Sequence, residues 1–313
     1  MLDSILSQAF IIGVLAGAIR VASPILLAAV GEIYAERSGI INVGVEGQML
    51  TGALFGFLGA YYSGNQWAGL VVGSLFGALV AAVVGFLCIS LFGNQVVTGV
   101  AINLFCLGMT TYVYRSVFGV TTDIPTIEPM HAVDIPVLSD LPYVGPILFQ
   151  QKIYVYVTLA IVALAAILLY KTTWGLNVRA VGEHPSAAET AGISVVRARY
   201  LCLLLGGLLA GLGGAMLSVG EVGYFTSNMS AGRGFMGLAI VVLGGWDPLK
   251  AMGAALLFGG ADALQRSMQA IGVGLPPQLA LSIPYLLPII ALVFASGRSR
   301  APAMLAVPFK REE

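Results

Sequence analysis

The sequence alternates long apolar runs with short polar stretches. A helix of about 20 apolar residues crosses the hydrocarbon core of a bilayer. We therefore predict an all-α polytopic membrane protein with about eight to ten transmembrane helices. The segment 235–246 is too short to cross by itself, and Arg20 and Pro24 interrupt the first span. The predicted spans are 5–31, 41–62, 67–91, 95–117, 151–170, 200–220, 235–246, 250–271 and 278–296.

Composition supports this class and excludes several others. Of 313 residues, 58% are hydrophobic and 10% are charged, which is too apolar for a soluble globule or a disordered chain. Lys and Arg number 15 and Asp and Glu number 15, so the net charge is zero and nucleic-acid binding through a basic surface is excluded. We treat residues 1–313 as one transmembrane domain.

The sequence contains no recognisable catalytic, metal or nucleotide site. Its three cysteines lie far apart inside apolar runs, and His131 and His184 are isolated, so no metal cluster can be assembled. The phosphate-binding pattern GxxxxGK[ST] is missing. We expect no enzyme activity and no cofactor on this chain, and any energy source must be a partner protein or an ion gradient.

Charged residues are distributed unequally among the loops. The loop 118–150 carries acids and no basic residue, and we predict that it is external. The loop 171–199 and the tail 297–313 carry Lys and Arg, and we predict that both are cytoplasmic, because basic loops stay on that side. The N-terminus would then be external, unless residues 5–19 form an interfacial helix.

Polar residues inside the spans are the candidates for function, since charges in a bilayer are costly. Residues 31–50 hold Glu32, Glu36, Asn42, Glu46 and Gln48 between several glycines. Such a segment cannot be an ordinary lipid-facing helix. We predict a broken or re-entrant element lining a translocation path. A structural turn between two helices is the alternative.

A second Gly-rich polar segment, residues 218–235, holds Glu221, Tyr224, Asn228 and Arg233. Its VGEVG at 219–223 loosely resembles VGVEG at 43–47. Paired Gly-interrupted segments in two halves of a transporter point to the permeation path. Structural turns remain the alternative here too.

A polar stripe lies along the predicted helix near 95–117, where it either lines the path or bonds neighbouring helices; its members are Asn94, Thr98 and Asn103.

Asp262 and Arg266 are four residues apart on one span, and we predict that they form an internal ion pair. Small residues at intervals of four predict close helix packing, as in Gly206, Ala210, Gly214 and in Gly69, Gly73, Gly77.

The loop 171–199 contains signals for a short helix. Pro185 suits the first helical turn, and Gly192 suits a stop after the last. The small residues Ala187 and Ala188 lie between them. Such a helix could enter a groove on another protein, although an ordinary connector is also possible.

Three strings of residues resemble the permease subunits of bacterial ABC importers. They are GEHPSAAETAGI at 182–193, ERSGIINVGVEGQML at 36–50 and GRGFMGLAIVVLGGWDP at 232–248. The first is similar to the motif of the cytoplasmic coupling helix. The others resemble the nucleoside and simple-sugar subgroup of the ribose, branched-chain amino acid and nucleoside permeases. The resemblance extends from about residue 20 to 296.

This resemblance implies the ABC importer permease fold, in the bacterial cell membrane. It also implies two permeases, identical or related, two cytoplasmic ATPases that hold ATP and Mg²⁺, and an external substrate-binding lipoprotein. The residues that would couple to the ATPase are Gly182, Glu183, Pro185, Ala187, Ala188 and Gly192.

Nucleosides are the favoured substrate, with simple sugars and then branched-chain amino acids as alternatives. The polar candidates for the path are Asn42, Glu46, Gln48, Asn94, Thr98, Asn103, Glu221 and Asn228, with Tyr224 or Phe225 for stacking on a base. An ion-coupled secondary transporter is the alternative of a different class, although it would not need a docking helix.

Overall fold

The computed structural model describes residues 8–119, 124–136, 138–271 and 301–309, together with the single positions 282, 286, 289, 290 and 293. The predicted span 278–296 therefore lies outside the described residues, apart from those five positions. Ten α-helices and one small antiparallel sheet account for most of the described chain.

The helices have the following bounds: α1 Gln8–Arg37, α2 Val45–Ser63, α3 Gln66–Gly85, α4 Gln95–Phe118, α5 Ile153–Lys171, α6 Thr173–Glu183, α7 Pro185–Thr190, α8 Val195–Ala215, α9 Arg233–Leu243 and α10 Pro248–Ala270. Short π-helical turns, Phe86–Ser90 and Met216–Val222, extend α3 and α8. The strands β1 (Ala132–Asp134) and β2 (Gln150–Lys152) pair in an antiparallel arrangement.

Five helices in the described part of the chain are long and apolar enough to cross a membrane: α1, α3 with its π-turn, α4, α5, and α8 with its π-turn. The more polar helices α2 and α10 have 19 and 23 residues. The 11 residues of α9 span only about 16 Å, so the prediction that this segment is too short is confirmed. An all-α polytopic membrane protein is confirmed as the fold class.

The first helix differs from its prediction. Arg20 and Pro24 do not interrupt it, and α1 continues for 30 residues to Arg37. Glu32 and Glu36 therefore belong to a regular helix and not to a broken element. The irregular backbone is confined to residues 38–44, between α1 and α2.

Glycines bring α2, α3 and α8 into close backbone contact. A Cβ on Gly73 would lie 2.5 Å from the Gly52 carbonyl oxygen, and one on Gly214 would overlap the Met49 carbonyl oxygen. A Cβ on Gly77 would overlap the Gly207 carbonyl oxygen. The predicted packing role of the small-residue stripes is confirmed, because only a hydrogen atom fits at these positions.

The two ends of the bundle have different structures. At one end, here called the loop end, residues 124–136 and 138–152 carry the β1–β2 sheet, and Ile127 N donates a hydrogen bond to Gly223 O at 2.8 Å. At the opposite end, here called the α7 end, lie α6, α7 and residues 301–309. Met304 N donates to Gly182 O at 3.0 Å, and Ala306 N donates to Gly39 O at 3.1 Å. Both predicted loops thus contain regular structure, and the described part of the tail packs against the bundle.

Candidate functional site

Glu46 joins the two polar segments that the sequence predicted. It lies in the first turn of α2 and is 8% exposed. Its Oε1 accepts hydrogen bonds from Ser230 Oγ at 2.6 Å and Gly232 N at 2.8 Å, and its Oε2 accepts one from Gly234 N at 2.7 Å. A carboxylate of α2 therefore caps the start of α9, where free N–H groups favour a negative charge.

Other predicted path residues form hydrogen bonds in and beside the irregular segment 38–44. The side-chain amides of Asn42 and Gln48 are fully buried and bond each other twice, at 3.0 and 3.1 Å. Asn103 Oδ1 accepts from Gly47 N at 2.8 Å, and Asn103 Nδ2 donates to Val43 O at 2.8 Å. These groups hold α2 in place and use their hydrogen-bonding capacity within the chain.

The remaining predicted path residues are dispersed. Asn94 is exposed and caps α4 by accepting from Val96 N at 3.0 Å, and Thr98 is partly buried one turn further on. Asn228 is exposed in a turn, with a φ of 60°. Phe225 is 1% exposed, with its ring centroid 5.3 Å from that of Tyr114. The Phe225 ring is part of the core, and the stacking of Tyr224 or Phe225 on a base stays a prediction.

Glu221 and Tyr224 line a polar cavity of about 200 Å³ near the loop end. Glu221 Oε2 accepts a hydrogen bond from Tyr154 Oη at 2.6 Å and pairs with Lys152 Nζ at 3.4 Å. The charged and hydroxyl-bearing residues lining the cavity are Arg20, Tyr154, Glu221, Tyr224, Thr226, Arg233 and Arg266. Sequence reasoning missed Arg20, although an arginine inside an apolar span is itself a signal of function.

An acidic residue of α10 holds two of these arginines. Asp262 Oδ2 lies 2.6 Å from Arg266 Nη2 and 3.9 Å from Arg233 Nη2. The predicted ion pair between Asp262 and Arg266 is confirmed. Its extension to Arg233 connects α10 with the start of α9.

The short helix predicted from Pro185 and Gly192 is present at the α7 end as α7. Pro185 and Ala188 face inward, and Ala188 packs among Val181, Val195 and Ala198. Ala187 is exposed on the opposite face of α7. Gly192 has a φ of +89°, which suits glycine after a helix end. The coupling role of these residues stays a prediction.

The helix α6, which sequence reasoning missed, connects α7 to the end of α1. Gly182 lies so close to Arg37 that a Cβ on it would overlap the Arg37 carbonyl oxygen. Glu183 Oε2 accepts a long hydrogen bond, 3.3 Å, from Ala303 N of the tail. The predicted residues Gly182 and Glu183 therefore belong to a joint between α6, α1 and residues 301–309.

The C-terminal end of α1 also contacts the chain just after the C-terminal end of α9. The indole Nε1 of Trp246 donates to Glu36 Oε2 at 2.5 Å, and Arg37 Nε donates to Trp246 O at 3.1 Å. Glu36 and Trp246 are 3% and 5% exposed. Both lie in strings that the sequence singled out, but their contact across 210 positions could not be seen there.

Within the described residues, no group of three or more His, Cys, Asp or Glu side chains could hold a metal ion. Broken polar segments, a membrane-length bundle and a short half-helix define a membrane transport protein. The fold is also found in a solved ABC transporter, described as being of the metal-chelate type and inward-facing. That match has a TM-score of 0.50 at 14% identity, covering 90% of this chain and 85% of that one.

The chain belongs to the family described as the permease component of the branched-chain amino acid transport system, whose model matches residues 10–292. It is 36% identical to the guanosine ABC transporter permease protein NupQ of Bacillus subtilis, over 92% of this chain and 93% of the relative. It is 37% identical to TsgC13 of Haloferax volcanii, provisionally described as a glucose ABC transporter permease, over 96% of each chain. This chain is accordingly an ABC transporter permease, a transport component and not a catalytic one.

Proposed function

We propose that this permease carries nucleosides through the cell membrane as part of an ATP-driven importer. The observation that carries the proposal is the similarity to a guanosine permease along nearly the full length of both chains. The motifs at 36–50 and 232–248 agree with it. In the structure the two motifs contact each other at both ends of α9. Glu46 accepts a hydrogen bond from Gly234 N at its start, and Trp246 donates one to Glu36 beyond its end.

Simple sugars are the second candidate substrate, because the relative from Haloferax volcanii is described as a glucose permease and is equally similar. Nucleosides and hexoses are both neutral, and both present sugar hydroxyls that need polar partners along a path. Branched-chain amino acids are the third candidate substrate, and only the family description supports them.

We further propose that α7 docks into a cytoplasmic ATPase, which holds the ATP and Mg²⁺. Ser186, Ala187 and Thr190 form an exposed face of small side chains, which suits insertion into a groove. The inward residues Pro185 and Ala188 fix α7 against the bundle. Pro185, Ala188 and Gly182 would therefore act by holding the helix, while Ala187 would touch the partner.

The orientation that fits this docking puts the α7 end in the cytoplasm and the loop end outside. The basic residues of loop 171–199 favour it. Residues 301–309 lie at the α7 end, so the C-terminal tail would be cytoplasmic. A second permease, and an external binding lipoprotein facing the loop end, complete the proposed importer.

Movement of α7 would reach the polar cavity through a chain of direct contacts. Gly182 of α6 touches Arg37, and Arg37 Nε donates to Trp246 O. From there α9 leads back to its first residue, Arg233, which lines the cavity. We propose that α9 moves between outward and inward states while the frame around Asn42 and Gln48 stays fixed. Glu221, Tyr224 and Asn228 would then line the loop-end part of the path.

The decisive experiment is uptake by cells that express this permease with its ATPase and binding protein. We expect saturable uptake of radiolabelled guanosine that unlabelled nucleosides compete away and glucose does not. The opposite competition pattern would assign a sugar. Uptake that survives ATP depletion but stops with a protonophore would overturn the ATP-driven mechanism in favour of an ion-coupled carrier.

A further inference from the structure

The polar cavity near the loop end carries more positive charge than its acidic residues balance. Arg20, Arg233 and Arg266 line it, and Glu221 is the one carboxylate among its described lining residues. Two groups just behind the lining take part in the ion pairs: Lys152 beside Glu221, and Asp262 beside both Arg233 and Arg266. Four cations against two carboxylates leave an excess of two positive charges.

Arg20 has no ion pair within the described part of the chain. It lies inside the apolar helix α1, and its Nε is buried without a hydrogen-bond partner. Among the residues that the structure describes, no carboxylate within 4.0 Å pairs with it, whereas Arg266 has Asp262 and Lys152 has Glu221. An arginine within a membrane span is costly to insert, so such residues are usually paired.

The segment that follows α10 does not supply the compensation. Residues 272–300, which follow α10, contain no Asp or Glu, so that segment cannot supply a carboxylate to the cavity. The two carboxylates already present are occupied, since Glu221 also accepts from Tyr154 Oη at 2.6 Å. Neither the described residues nor residues 272–300 thus supply the missing negative charge.

Transport of a neutral nucleoside or sugar does not account for this excess. We propose that the cavity is a binding site for a phosphate group. Guanidinium groups match the oxygens of phosphate in charge and geometry, and the hydroxyl groups of Tyr224 and Thr226 line the same space. The volume, about 200 Å³, exceeds the roughly 150 Å³ that holds a benzene-sized ligand.

Two sources could supply this phosphate group, a phospholipid headgroup or free inorganic phosphate, because both present anionic oxygens that guanidinium groups bind. The ligand would neutralise Arg20 and thereby hold α1, α8, α9 and α10 together at this end. The cavity shares Glu221 and Tyr224 with the proposed path, whereas the phosphate group is assigned to the arginines, chiefly Arg20.

The test measures phosphate binding directly on the purified full-length permease. In detergent, thermal unfolding is followed against inorganic phosphate, with chloride at matched ionic strength. In nanodiscs, bound lipid is counted by native mass spectrometry in phosphatidylglycerol and in phosphatidylcholine. A rise in melting temperature with inorganic phosphate would identify the ligand as the free ion. Retention of phosphatidylglycerol but not of phosphatidylcholine would identify it as a lipid headgroup. Absence of both effects overturns the proposal.

Variants locate the site. Arg20→Gln is expected to weaken the binding at least about ten-fold, as expected for a lost charge-assisted hydrogen bond. Arg20→Lys keeps the charge and is the fallback if the glutamine variant does not fold. It should bind phosphate more tightly than Arg20→Gln but more weakly than the native protein. Arg115→Gln is the control, because Arg115 is exposed in the last turn of α4 at the same end. Native-level binding by Arg20→Gln, or by Arg20→Lys if the glutamine variant does not fold, would refute the assignment to Arg20. An equal loss of binding in Arg115→Gln would refute it as well.

Discussion

The carboxylate of Glu46 lies 2.7 Å from the backbone nitrogen of Gly234, although 188 positions separate the two residues. This hydrogen bond fixes the start of the half-helix α9 to the start of α2. Two irregular segments that break the helical bundle thus stabilise each other. The first prediction concerns this contact.

Glu46→Gln should lower the unfolding free energy of the permease by about 1–3 kcal/mol. The glutamine amide would direct an N–H donor at one of the N–H or O–H donors that the carboxylate now accepts from, leaving it without an acceptor. The measurement is thermal unfolding of the purified protein. Glu183→Gln is the matched control, because Glu183 is exposed and accepts only a bond of 3.3 Å. Equal melting temperatures for the two variants would contradict the capping role.

Gly214→Ala should prevent close packing of α8 against α2. The new methyl group would overlap the carbonyl oxygen of Met49, so the two helices would have to separate, at a cost of about 1–3 kcal/mol or more. Fluorescence-detected size-exclusion chromatography would show a loss of monodisperse protein. Gly253→Ala, where no atom lies within 4 Å of the new Cβ, should elute like the native protein.

Substitutions on the two faces of α7 should have different effects. Ala187→Arg is expected to abolish co-purification of the ATPase while the melting temperature of the permease stays unchanged, because Ala187 is exposed. Ala188→Leu should destabilise the permease itself by about 1–3 kcal/mol, since Ala188 is buried.

Ala132→Arg, an exposed position at the loop end, provides the control for the α7 experiment. It adds the same charge and bulk far from α7 and should leave both readouts unchanged. Full retention of the ATPase by Ala187→Arg would show that this face of α7 is not the docking surface.

Trp246→Phe should destabilise the joint between α1 and α9. The change removes the indole N–H that Glu36 Oε2 accepts and leaves a buried carboxylate oxygen without that partner, which costs about 1–3 kcal/mol. Chemical unfolding would measure the loss. Trp67→Phe, at a position that is 47% exposed, is the matched control. If Trp246→Phe were no more harmful than Trp67→Phe, the contact would not stabilise the joint.

The structural class and several local features followed from the sequence. Apolar run length predicted the spans, Pro185 and Gly192 predicted α7, and the spacing of Asp262 and Arg266 predicted their ion pair. The small-residue stripes predicted the close contacts of α3 and α8. Each of these signals depends on neighbours within a few turns of one helix.

The partners of the polar residues could not be predicted in this way. The sequence alone does not tell whether Asn42 faces a path or pairs with Gln48, or whether Phe225 is open or buried beside Tyr114. Those outcomes depend on the rotation of each helix about its axis and on which helices become neighbours.

The sequence by itself determined a membrane protein with broken polar segments and a short helix at one end, because the bilayer requires long apolar runs and rejects unpaired polar groups. Only the tertiary structure decided that Glu46 caps α9, that Trp246 bonds Glu36 and that Arg20 lines a cavity, where its Nε has no hydrogen-bond partner among the described residues. These contacts join residues far apart in the chain, and packing between helices selects them.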